Sequence, residues 1–190
     1  MTVTIDVPPK NQDFKNFLKL FLKATEKIEG DYFQLPAAGA EDPLYRERVY
    51  CYELYHRIRE QMPDGYSYKL DGELDRLGHP LRGNSVGGLK PDFLVHSRGV
   101  VNSNLAAIAV KPINTAWARI IKDVETLCGF LGKAGYYRAI YLLYGADEDA
   151  AIGGISGVTR DYFNDVPRGS FYIMRHRRPG TYAHTVWVNE

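Results

Sequence analysis

An aspartate and a lysine stand at matching ends of two short apolar runs, and no other residues in the chain are better placed for chemistry. The runs are Lys90-Pro91-Asp92-Phe93-Leu94-Val95-His96 and Leu105-Ala106-Ala107-Ile108-Ala109-Val110-Lys111. Each has the length and composition of a β-strand, and the short connection between them predicts a hairpin. Side chains alternate faces along a strand. Asp92, Leu94 and His96 are therefore expected on one face of the first strand. Leu105, Ala107, Ala109 and Lys111 are expected on one face of the second. Charge at the end of a buried strand is costly unless it is paired or used. A carboxylate can hold a hard divalent cation. An ammonium beside it can meet negative charge developing on a reacting group.

A further acid comes from upstream. A helix is predicted from about Pro43 to Met62, with Pro43 in its first turn. At 3.6 residues per turn, Leu44, Cys51, Leu54, Tyr55, Ile58 and Met62 fall on one face. Glu47 lies one turn before Cys51 on that face, so it is either an acid suiting the helix dipole or an acid aimed at a site. Glu53 projects to the opposite, solvent side, where Arg57 at i+4 is its expected ion-pair partner. His96 has two readings as well, a proton donor near Asp92 or a strand-end polar residue. The five histidines show no zinc-ligand spacing, and there is no phosphate-binding loop or nucleophile elbow.

The elements that must position these residues can be read from pattern. A first helix is expected from about Asp13 to Ile28, with a lysine-rich outer face, ended by Gly30. Residues 30–43 read as loop. A strand is expected from about Tyr66 to Leu74, then a glycine-rich loop from Gly78 to Gly88. Asn114 or Thr115 suits the cap of a helix reaching Leu131, whose apolar residues Trp117, Ile120, Ile121, Val124, Leu127, Cys128 and Leu131 repeat at three and four. Tyr136 to Gly145 reads as a buried strand. The strand–helix–strand unit implies a parallel pair. Residues 147–168 read as loop and a short helix, and Ser170–Met174 with Tyr182–Val188 as a final hairpin.

The Pro91-Asp92 pair, the loop, the strand ending Ala109-Val110-Lys111, the upstream acid and the downstream crossover together resemble the PD-(D/E)XK nuclease superfamily, over roughly residues 43–145. The resemblance implies an α/β (α+β) fold, a restriction-endonuclease-like mixed β-sheet flanked by helices. It implies a metal-dependent endonuclease that hydrolyses phosphodiester bonds of nucleic acid, DNA favoured, in phage defence, restriction or repair. Carried over residue by residue, Asp92 and Glu47 become ligands of Mg²⁺ or Mn²⁺, Lys111 completes the catalytic set, and position 109 should carry the second acid. Here the chain departs from the pattern, because Ala109 can neither coordinate a metal nor accept a hydrogen bond through its side chain. Three explanations are open: an acid replaced by alanine to inactivate an enzyme, an acid relocated to Glu73, or a natural pseudo-nuclease. The last would be a non-catalytic nucleic-acid-binding or complex-assembly module.

Composition bounds the rest. At 45% hydrophobic and 25% charged residues, the chain is ordinary for a soluble globular protein. No apolar run reaches the roughly 18 residues needed to span a bilayer, and the N-terminus lacks signal-peptide features. A cytoplasmic location without a membrane partner is expected. Cys51 and Cys128 fall in apolar helical stripes and read as core residues. The net charge of +1 is uninformative about nucleic acid, but Arg168, Arg175, His176, Arg177 and Arg178 make the C-terminal part locally basic. Arg175, Arg177 and Arg178 are the candidate nucleic-acid contacts; a charged, solvated sheet edge is the alternative. Length suits a core from residue 43 to 190 with an N-terminal arm and helix, residues 1–42, packed on it. Paired cuts on duplex DNA would favour a homodimer, and a defence complex is a further expected partner.

Overall fold

The computed structural model describes residues 10–36, 38–39, 43–72, 90–98, 103–146, 150–161 and 166–190. Glu73, the 78–88 glycine loop and the arm before residue 10 lie outside these. The helices are α1 (Lys10–Glu26), α2 (Gly30–Phe33), α3 (Glu47–Gln61), α4 (Trp117–Gly132) and α5 (Ala150–Asp161). The strands are β1 (Lys69–Gly72), β2 (Phe93–His96), β3 (Asn104–Pro112), β4 (Arg138–Tyr144), β5 (Phe171–His176) and β6 (His184–Val188). Among the described residues, six strands form one mixed sheet, ordered β1 to β6 as in the sequence. The central β3, β4 and β5 are parallel, and β1, β2 and β6 add antiparallel edges.

The expected 90–96/105–111 hairpin is β2 antiparallel to β3, and the expected crossover makes β4 parallel to β3. Both strands are buried on both faces, as parallel strands covered by helices on each side must be. Leu94, Ala107, Ala109, Tyr141 and Leu143 pack on one face with Ile120, Val124 and Leu127 of α4. Phe93, Val95, Ile108, Val110 and Leu142 pack on the other with Phe14, Phe17 and Phe21 of α1 and Leu54 and Ile58 of α3. The N-terminal helix thus shares the main core. Gly145 ends β4 at φ 130°, where a β-carbon would stand 2.6 Å from Ile113 Cγ2. Only glycine lets the chain turn there against the end of β3.

Several expectations are corrected. Leu105 belongs to the opposite face from Ala107, because pairing jumps from Val95↔Ala106 to His96↔Asn104 and leaves Leu105 as the extra residue of a bulge. The second helix begins at Glu47, not Pro43; Leu44 instead forms an antiparallel bridge with Leu35, so Pro43 is no first-turn residue. Residues 30–33 form a short helix rather than loop. Neither Asn114 nor Thr115 caps α4: Ala116 occupies that position, and Thr115 Oγ1 donates to Pro112 O at 2.7 Å. Glu53 does pair with Arg57 at 2.5 Å, yet it is buried at 7% exposure rather than on a solvent face. Cys51 and Cys128 are buried core thiols, as expected.

Candidate functional site

The site lies where β3 ends. Val110 is the last residue of that strand fully inside the core on one face, which leaves Lys111 to emerge on the other. Phe93 pairs with Ile108, so Asp92, one residue further, faces position 109. Asp92 is fixed there by its neighbour strand: the Val110 N–H donates to its Oδ2 at 2.7 Å. Glu47 is brought in by α3, whose buried Tyr50, Cys51, Leu54 and Ile58 hold the helix against the sheet.

These three residues meet. Lys111 Nζ donates to Glu47 Oε1 at 2.8 Å and lies 3.5 Å from Asp92 Oδ2. A further carboxylate, not singled out in the sequence, joins them: Asp123 Oδ2 of α4 stands 3.7 Å from the same Nζ. Its position was readable, since Asp123 is three residues after Ile120 and four before Leu127, on the buried stripe of α4. Tyr141 is a second addition. It pairs in register with Ala109, and its buried hydroxyl has no hydrogen-bond partner.

Electrostatics bind the group together. Burial pushes the Asp92 carboxyl up to about 6, helped by Glu47 and Asp123 and opposed by Lys111 and the Val110 N–H. Asp123 is likewise raised by burial, with Lys111 opposing. Burial works against the Lys111 ammonium, but Asp92, Glu47 and Asp123 hold its pKa above the ordinary lysine value. The Tyr141 phenol is pushed up by burial and by Asp123, Asp92 and Glu47.

The donor chemistry fits a hard cation. Glu47, Asp92 and Asp123 offer only oxygens, the ligands that Mg²⁺ and Mn²⁺ take. Asp123 Oδ2 is buried, and among the described residues it faces the Lys111 ammonium at 3.7 Å, beyond hydrogen-bond reach, so it can still take a donor or an ion. Among the described residues, no three His, Cys, Asp or Glu side chains are gathered closely enough to hold a metal as they stand. The Lys111 ammonium lies between the carboxylates instead. Ala109 is 2% exposed and packs on the α4 side of the sheet.

Other candidates lie elsewhere. His96 is four residues along β2 from Asp92, about 13 Å at strand rise, and its Nε2 pairs with Asp71 Oδ2 at 2.8 Å. Asp71 also pairs with Arg98, and that bond, with His96, holds its carboxyl below the usual range against the opposing effect of burial. The proton-donor reading of His96 is therefore corrected, and the strand-end polar reading holds, with the ring hydrogen-bonded to Asp71. Arg175 is 1% exposed, inside β5, and so is corrected as a surface contact. Arg177 and Arg178 are exposed in the turn that follows. Among the described residues, no helix is long and apolar enough to cross a membrane. Comparison of the chain with protein-family models, with curated proteins and with solved structures returns no match.

Proposed function

We propose that the chain is a metal-dependent phosphodiesterase core of the PD-(D/E)XK type, acting on nucleic acid, with DNA favoured. The observation that carries the reading is the meeting of Asp92, Glu47 and Lys111, from three separate elements, within 3.5 Å of one ammonium. Asp92 and Glu47, completed by an acid restored at position 109, would hold Mg²⁺ or Mn²⁺. Such an ion, when bound, polarises a phosphoryl oxygen and lowers the pKa of water. Lys111 supplies a fixed positive charge where the phosphate gains negative charge. Asp123 joins Glu47 in holding that ammonium.

Ala109 favours a second reading, a pseudo-nuclease that binds nucleic acid or assembles a complex without cutting. The tightly packed alanine leaves Lys111 neutralised by carboxylates rather than shared with an ion. A cleavage assay on a duplex plasmid and on a single-stranded circular DNA, in Mg²⁺ and Mn²⁺, separates the two. The chain as it stands should cut slowly or not at all. Ala109→Glu should raise cleavage and Mn²⁺ affinity, and adding Asp92→Ala should abolish the gain. Unchanged cleavage and metal binding in Ala109→Glu, with nucleic-acid binding still weakened by Lys111→Ala, would make the domain a binder.

A further inference from the structure

We infer that a pocket between α3 and the β1–β2 edge is a subsite for one unpaired nucleobase, so that the strand cut at the adjacent carboxylates is single-stranded. This deepens the nuclease reading and rests on it for the position of the phosphate. The pocket is continuous with the site, because Glu47 and Asp92 form one of its walls. Its volume is about 280 Å³, just below the range that accommodates drug-sized ligands. It has room for a single nucleobase.

The lining has the chemistry of a stacking platform. Tyr52 and Tyr55 come from one side of α3, and Phe93, buried at 3% exposure, backs Tyr55 from the start of β2. The Tyr55 and Phe93 rings lie 6.2 Å apart, tilted by 34°. Tyr52 is 68% exposed, a large aromatic surface left in water at the mouth. Every base has a π-face, so such rings bind bases with little sequence preference. Arg48, exposed beside Glu47, adds a cation for the phosphate of the same nucleotide.

Gly72 gives a second, independent indication. A β-carbon there would meet Asp92 O at 3.7 Å and the Phe93 ring at 3.8 Å, ordinary contacts. Backbone packing therefore does not demand glycine. What the missing side chain does is leave the pocket open. A base paired within a duplex cannot enter such a slot without leaving its stack. An unpaired one can, and it would carry its own phosphate to the rim shared by Glu47 and Asp92.

The test is fluorescence anisotropy with a labelled 12-nucleotide DNA strand, the matching RNA strand and the DNA duplex. The single strands should bind more tightly than the duplex. Gly72→Val, which fills the pocket, and Tyr52→Ala, an exposed position that leaves the core intact, should each weaken strand binding about tenfold or more, the loss expected for one stacked base. Duplex binding should not change. Equal strand affinity in the parent and in a folded Tyr52→Ala overturns the pocket, as does tighter binding of duplex. Cleavage by Ala109→Glu tells the two readings apart. If Ala109→Glu cuts a strand but Tyr52→Ala added to it neither slows cutting nor weakens binding, the pocket fails and the nuclease reading stands. If pocket variants lose strand binding while Ala109→Glu remains inert, the nuclease reading fails and the base subsite stands. No binding of any strand overturns both.

Discussion

Lys111 is held by more negative charge than it can neutralise, and each residue around it inherits a pH dependence from that imbalance. Asp92 has a folded pKa of about 6, above its ordinary value. An acid raised on folding binds its proton more tightly in the native state, so it favours the fold below its unfolded pKa. That stability is lost as pH rises from about 4 through about 6. Asp92→Asn keeps an oxygen for the Val110 N–H and removes the titration. Relative to the parent it should gain stability between pH 4 and pH 8, by up to about 3 kcal/mol. Urea denaturation at the two pH values measures this, and a constant difference would refute the assignment. Lys111→Met should act in the opposite sense. It strands Glu47, Asp92 and Asp123 together, and breaking a buried pair costs about 3–5 kcal/mol. The loss should be largest at pH 8 and shrink toward pH 4, where the carboxylates take up protons. Ala109→Glu adds yet another acid to a position 2% exposed, so it should lower the melting temperature in chelator. The Tyr141 hydroxyl beside it can donate to the new carboxylate, which limits the cost, and Mn²⁺ should reverse it by neutralising the cluster. The Mn²⁺ rescue should be weaker at pH 5 than at pH 7.5, since protons compete for Asp92.

At the scale of elements, α3 sets the position of Glu47, and its hold on the sheet is the lever. Leu54 is fully buried between α3 and the strands. Leu54→Ala should cost about 2–5 kcal/mol and should also loosen the Glu47–Lys111 pair. An added sign of that loosening would be weaker Mn²⁺ binding in an Ala109→Glu background, measured by calorimetry well below the melting temperature. Upstream, Tyr50 is stacked on Tyr144 with centroids 3.9 Å apart and is hydrogen-bonded to His176 Nδ1 at 2.7 Å. Burial lowers the His176 pKa to about 4, so this link stays uncharged at neutral pH. The hairpin and the crossover were legible because their residues are apolar in uninterrupted runs, a pattern with few other uses. Glu47 was legible because a charged residue broke an apolar stripe. Asp123 breaks the stripe of α4 in the same way, but the strong apolar repeat on either side of it masks the signal. The Leu105 bulge and the Ala116 cap were not legible, since a pairing slip depends on the partner strand and a cap on how the chain leaves β3. The burial of Glu53 and Arg175 came from packing between distant elements, which local charge patterns do not encode.

The whole molecule is nearly neutral, yet its charge is unevenly spread, and this bears on how a polyanion would lie across it. Lys15, Lys19, Lys23 and Lys27 follow one another at i+4 and are all exposed, a stripe about 18 Å long at helical rise. Like charges at that spacing oppose helix formation. The stripe runs toward the turn after β5: the Gly180 N–H donates to Ile28 O at 3.2 Å, and the Ala183 N–H donates to Thr25 Oγ1 at 2.9 Å. Arg177 and Arg178 open that turn, so they extend the basic rim of α1. His176, just before them, meets Phe33 edge to face and Tyr50 at a tilt, at the same end of the parallel strands as Lys111. A strand entering the carboxylate site would therefore have a cationic surface beside it. Each phosphate contact to a single strand contributes about 0.7 to the slope of log affinity against log salt. Removing Arg177 and Arg178 together, as a double alanine variant, should flatten that slope by about 1.4 and leave the melting temperature unchanged. Arg175→Met should do the reverse. That guanidinium is buried inside β5, so its loss should lower stability and leave the slope as it was. An unaltered slope in the double variant would show that the strand reaches the site from another side, and would remove Arg177 and Arg178 from the binding surface.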